Sequence, residues 1–161
     1  MKFLKKEEEH IILYQNKFQI DAINFEEYDD LEDQFRILFR KLKDIYHFEI
    51  EGYYDIDIYY DENSGRIIEI EKEPIEYFEY LDNQVDMKII LHEKSPFLYQ
   101  VEDVFTFPPQ IKRKIKVITY QGKTFLHTYL PLTNFEQGAL LEFSTIYYKN
   151  VDSILKRGIC S

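Results

Sequence analysis

The sequence predicts an α+β fold of two halves, each a helix with an antiparallel hairpin, the helices layered on antiparallel sheet. Three observations carry that expectation. Apolar residues at spacings of three and four form one stripe from Tyr28 to Tyr46. Two stretches switch to a period of two and fold back at Gly65 and Gly122. The chain has 161 residues, 45% of them apolar. At that size folding removes roughly 70% of the unfolded surface from water, enough for one domain or two small packed halves.

His10–Ile20 reads as the first strand, with Ile12, Tyr14, Phe18 and Ile20 on one side. Asn24 and Glu27 have the spacing of a capping box before a helix. That helix carries Leu31, Phe35, Leu38, Phe39, Leu42 and Ile45 on its stripe. Acids crowd its first turns and Arg36, Arg40, Lys41 and Lys43 its last, which suits the helix dipole. From Phe48 the period is two. Ile50, Tyr54, Ile56, Ile58 and Tyr60 alternate with Glu51, Asp55 and Asp57, and Arg66–Lys72 returns after the turn. This hairpin is expected to have one buried and one solvated face. Residues 73–84 read either as a short helix started by Pro74 or as an acidic linker.

Val85–His92 opens the second half as a strand, and Phe97–Phe107 is open between helix and strand. Pro108-Pro109 ends that segment. Gln110–Tyr120 reads as a strand, with Ile111, Ile115 and Val117 opposing Lys112, Lys114 and Lys116, which with Arg113 make a basic row. Lys123–Leu132 returns after Gln121-Gly122. Asn134 and Gln137 suggest a second capping box, for a helix over Phe135–Phe143. A short strand at STIYY and a last helical turn over Val151–Arg157, closed by Gly158, complete the chain. The expected organisation is an acidic strand–helix–hairpin half over 1–73, a short acidic connection over 74–84, and a mildly basic strand–hairpin–helix half over 85–161.

Composition narrows the function classes. There are 14 Tyr and 13 Phe but no Trp, and 21 Ile against two Ala. AT-rich codons favour the same set, so the aromatic excess reads as a mark of the genome and as core material before it reads as a ligand site. Net charge is -10. It divides into -14 over residues 1–93 and +4 over 94–161. A chain acidic overall is not the usual nucleic-acid binder. The single Cys160 excludes an internal disulfide, and no stretch approaches the roughly 20 apolar residues of a membrane span. The start shows no apolar run of signal-peptide length, so a cytoplasmic location is expected.

No catalytic signature is present. Five scattered glycines cannot form a phosphate loop, and GxSxG is missing. His10, His47, His92 and His127 lie on separate elements without ligand spacing. Asp55 and Asp57, with Glu69 and Glu71 on the return strand, mark an acidic hairpin face that reads as solubilising or protein-binding rather than metal-binding. The expectation is therefore no enzyme, no cofactor and no metal. Candidate protein-binding residues are Glu51, Asp55, Asp57, Glu69, Glu71, Glu102, Asp103 and Glu142, with the basic row Lys112, Arg113, Lys114 and Lys116. Partner strands adding to hairpin edges would need no catalytic group.

Several strings recur in a familiar order. FEIEG at Phe48–Gly52 follows the helix, then come VEDVF at Val101–Phe105, TYQGKTFLHTYL at Thr119–Leu130, GALLEF at Gly138–Phe143 and ILKRGI at Ile154–Ile159. In this order the chain resembles the MecA family of adaptor proteins of low-GC Gram-positive bacteria. It departs from that family in its connection, shortened to about Glu73–Gln84, and in its mildly basic second half. The resemblance implies a non-enzymatic adaptor whose first half binds a target protein and whose second half binds an AAA+ unfoldase of the ClpC type. The matched positions would be Glu102, Asp103, Val104, Leu141, Glu142 and Phe143. From the charge and aromatic content, the alternative is an acidic inhibitor or immunity protein that blocks a basic toxin or nuclease. An enzyme of unrecognised type is the third reading.

Overall fold

The computed structural model describes residues 2–16, 28–74, 85–92, 96–102 and 107–160. They form a mixed α+β fold richer in sheet than in helix, divided between two compact units. The first unit comprises Met1–Gln15, Gln19–Ile58 and Ile67–His92. The second comprises Asn16–Phe18, Tyr59–Arg66 and Glu93–Ser161.

The first sheet has the order β1-β2-β4-β3-β5. Its strands are β1 (Lys2–Glu7), β2 (His10–Asn16), β3 (Gly52–Asp61), β4 (Gly65–Lys72) and β5 (Val85–Leu91). Helix α1 (Tyr28–Tyr46) packs on it. The expected stripe is the buried one: Leu31, Phe35, Phe39 and Leu42 join Ile11, Leu13, Tyr54, Ile56, Ile58, Ile68 and Ile70 in one core. Each such side chain, fully buried, contributes roughly 1.5–3 kcal/mol. His47 ends the helix in a left-handed conformation (φ 58°), and the Phe48 N–H returns to the Leu42 carbonyl at 3.2 Å. The first expected capping box, at Asn24 and Glu27, lies outside the described residues.

Two parts of this sheet differ from the sequence reading. β1 was not expected, because its lysines hide a strand. It pairs antiparallel with β2, tucks Phe3 against the core, and lays the Lys6 ammonium 4.4 Å from the Tyr46 ring centroid. A charged outermost strand resists adding further chains. β5 belongs here and not with the second half. It runs parallel to β3, pairing Gly52 with Val85 through Ile58 with Leu91, because Val85, Met87 and Ile89 pack against the first core.

The second sheet has the order β10-β7-β8-β6-β9. It contains β6 (Leu98–Val101), β7 (Ile115–Tyr120), β8 (Lys123–Thr128), β9 (Thr145–Tyr147) and β10 (Ile159–Cys160). The pairings β10–β7, β7–β8, β8–β6 and β6–β9 are antiparallel. Three short helices accompany it: α2 (Pro109–Lys112), α3 (Asn134–Glu142) and α4 (Asp152–Arg157). Leu98, Ile118, Phe125, Val151 and Ile154 form a core on it. Phe97–Phe107 thus resolves into β6 where it is described. Gly158 follows α4 as expected but is extended, not left-handed. A β-carbon there would collide with the Ile118 side chain and the Ile154 carbonyl, so glycine lets α4 turn directly into β10.

The basic row does not lie along one strand. Pro109 occupies the first turn of α2, where its fixed φ favours a helix. Lys112 is helical, Arg113 is the cap, and the strand begins only at Ile115. Ile111 and Ile115 are four apart, a spacing that shares a face in either period, so alternation alone misread the turn.

Candidate functional site

Two residues of the displaced basic row, Arg113 and Lys114, line an open groove in the second unit. Its lining comprises Pro108, Gln110, Arg113, Leu130, Thr133 and Phe135, with Lys114 and Glu136, around about 620 Å³. α2 presents Arg113, the end of β8 leads to Leu130, and the first turn of α3 supplies Phe135. Phe135 is 79% exposed, and Tyr129 and Leu130 beside it are 45% exposed each. Lys112, Arg113 and Lys116 are exposed as well. Lys116 sits 5.6 Å from the Tyr129 ring centroid, and the Tyr129 hydroxyl donates to the Arg113 carbonyl.

α3 is anchored by a capping box one residue earlier than expected. The Glu136 N–H donates to Thr133 Oγ1 at 3.2 Å, and the Thr133 N–H donates to Glu136 Oε1 at 3.0 Å. That shift frees Gln137 to turn inward, where its amide donates to the Ser64 carbonyl. Lys114 Nζ donates to Glu136 Oε1 at 2.7 Å, so Lys114 is neutralised within the groove. Burial alone would raise the Glu136 pKa, but Lys114 and Thr133 hold it below the usual carboxylate range. Stability from that pair is therefore present above the ordinary glutamate pKa and is lost as pH falls through the lowered one. Thr133→Ala should cost about 1 kcal/mol in urea unfolding, the usual loss of an N-cap.

The same unit contains a buried polar knot at the β3–β4 turn. Asp61 Oδ1 accepts from the Asn63 and Ser64 N–H groups at 2.8 and 2.9 Å, and Oδ2 accepts from the Phe97 N–H at 2.7 Å. Asn63 Nδ2 donates to the Thr128 carbonyl at 3.3 Å. Burial pushes the Asp61 carboxyl above its usual range, partly offset by those three N–H donors. Burial also lowers His127 and raises the Tyr99 hydroxyl well beyond the usual tyrosine value. Asp61 serves as a latch here: its carboxylate is occupied by backbone.

The acidic hairpin face is not the solvated row that was expected. Glu69 is 3% exposed, and its Oε2 lies 3.0 Å from His10 Nε2. Glu71 Oε1 is 3.4 Å from the same nitrogen. Asp57 pairs with His92 at 2.8 Å. Asp55 hydrogen-bonds Glu73 and raises its pKa. Glu51 is exposed, and its carbonyl accepts from the Tyr54 hydroxyl, which burial pushes up to about 12. Glu102 and Glu142 are exposed, and Asp103 lies outside the described residues.

The structure thus gathers Arg113 and Lys114 into one groove of the second unit with Lys112 and Lys116 beside it, and in the first unit it places Glu69 and Glu71 together. Sequence reasoning missed Phe135, Leu130 and Tyr129 as surface residues, because aromatic positions beside a strand end look like core. It also missed His10, whose carboxylate partners stand some 60 residues away. Among the described residues no helix is long and apolar enough to cross a membrane. No protein-family model, curated protein or solved structure matches the chain.

Proposed function

We propose that the protein is a non-enzymatic protein-binding regulator, and that the groove of the second unit takes an apolar segment flanked by acidic residues. The observation that carries this reading is the exposed trio Tyr129, Leu130 and Phe135 beside the exposed cations Lys112, Arg113 and Lys116. Apolar side chains exposed together at a concave surface mark interaction sites. The basic border selects acidic flanks, and complementary charge governs encounter rate and partner choice. No covalent chemistry is required of such a groove. The finer form of this proposal is adaptor work, delivery of a target protein to a ClpC-type unfoldase, and its support is the sequence resemblance.

Two probes test it: a fluorescent peptide with a Leu-Phe core and glutamate flanks, and a purified ClpC-type unfoldase. Wild type should bind the peptide, and both Phe135→Ser and Arg113→Glu should weaken binding at least about tenfold. A peptide with lysine flanks should not bind. Phe135 is largely exposed, so its substitution should leave stability within about 0.5 kcal/mol. Equal affinity for peptides of either charge, or indifference to both substitutions, would remove the groove from the function. Capture of the unfoldase by wild type supports the adaptor form, and its failure to bind leaves only the peptide-binding form. A tight one-to-one complex with a basic enzyme, unaffected by Phe135→Ser, would favour the inhibitor reading.

A further inference from the structure

Far along the chain from the groove residues, three side chains of the first sheet meet at one point. His10 opens β2, and Glu69 and Glu71 lie on β4, the neighbouring strand. Residues two apart on a strand share a face, so both carboxylates reach the same imidazole. One ligand atom from each of the three residues lies within 4.8 Å of the others. The two separations from His10 Nε2 are 3.0 and 3.4 Å. Donor atoms around a tetrahedral zinc ion with bonds of about 2.1 Å stand roughly 3.4 Å apart, so Glu71 already stands at that spacing from His10 and Glu69 lies slightly inside it. Glu69 is buried and held by the sheet, whereas the Glu71 side chain is 54% exposed. The cluster has a fixed floor and an open side.

We propose that His10, Glu69 and Glu71 form a binding site for a borderline divalent cation, zinc foremost, with water completing its coordination. One imidazole and two carboxylates are a donor set that zinc accepts, whereas calcium prefers oxygen alone. A nearby lysine tunes the site. Lys5 Nζ lies 2.8 Å from His10 Nδ1. An ammonium can only donate, so Nδ1 accepts and the imidazole proton sits on Nε2, directed at Glu69. The ion takes the place of that proton. The imidazole then carries its proton on Nδ1, and Lys5 gives up Nδ1 for Glu7, whose carboxylate is already 3.7 Å from Nζ. Lys5 therefore acts as an internal competitor of the cation.

The test is calorimetric titration of the full chain with zinc chloride alone, and separately with calcium chloride, alongside thermal unfolding. One equivalent of zinc should bind wild type and raise its Tm, with calcium at least about tenfold weaker. His10→Asn and Glu71→Gln should each weaken zinc binding at least about tenfold and abolish the Tm shift. Glu71 is half exposed, so Glu71→Gln tests the site without risk to the buried Glu69. Lys5→Gln should tighten binding several-fold, an effect expected of a competitor and not of a bystander. Cys160→Ser should leave binding unchanged. The proposal fails if wild type binds no zinc, if Cys160→Ser abolishes binding, or if His10→Asn and Glu71→Gln bind like wild type.

Discussion

Asp61→Ala should destabilise the second unit by about 3 kcal/mol or more, since three N–H groups then lose their acceptor. Total stabilities of small proteins are about 5–15 kcal/mol, so this single side chain holds a large share. Its carboxylate closes the β3–β4 turn through Asn63 and Ser64 and ties that turn to Phe97. Asp61→Asn should be milder, because an amide oxygen can replace Oδ1 for Asn63 and Ser64. Its NH2 group would still face the Phe97 N–H. The two substitutions also separate by pH. Burial raises the native Asp61 pKa above its unfolded value of about 3.9, so the folded chain binds this proton more tightly. That component is full below the unfolded value and is lost as pH rises through the raised native one. Asp61→Asn abolishes this slope. Urea unfolding of both variants from pH 4 to pH 7 measures it, and a slope unchanged in Asp61→Asn would reject the assignment.

Phe39→Ala should cost about 3–5 kcal/mol, the range for emptying a phenyl ring's volume from a packed core. Phe39 is 3% exposed, and its ring centroid is 5.2 Å from that of Tyr54 on β3. The ring joins α1 to the sheet, so the cavity would open in the layer that defines the first unit. Ile37→Ala, two residues away on a position 52% exposed, is the control and should stay within about 0.5 kcal/mol. Similar losses in both would mean that helix propensity, not packing, governs this helix.

How far the sequence announced these features depended on the range of the interaction. α1 was readable because its stripe repeats over five turns of one segment. The β3–β4 and β7–β8 hairpins were readable because each is closed by a local turn. β1 escaped because lysines on an outermost strand look like a solvated leader. β5 was assigned to the wrong half because alternation says which face a residue takes, not which sheet receives it. The basic row was legible as a run of cations, yet Pro109 starts a helical turn there, so the row does not lie along one strand face. Phe135 and the His10 cluster depend on which distant residues the fold brings near, and no local pattern encodes that.

The β3–β4 turn also fixes an order of events during synthesis. Residues 59–66 belong to the second unit, although the strand segments on either side of them belong to the first. A ribosome delivers Asp61 and Ser64 some 30 residues before Phe97 and more than 60 before Thr128 and Gln137. The nascent first unit can assemble helix α1 and its strands while this turn still has no lasting partners. A fragment ending at His92 would carry the same exposed turn permanently. Neither unit is a contiguous cassette, and a single cut in the chain cannot release either one whole.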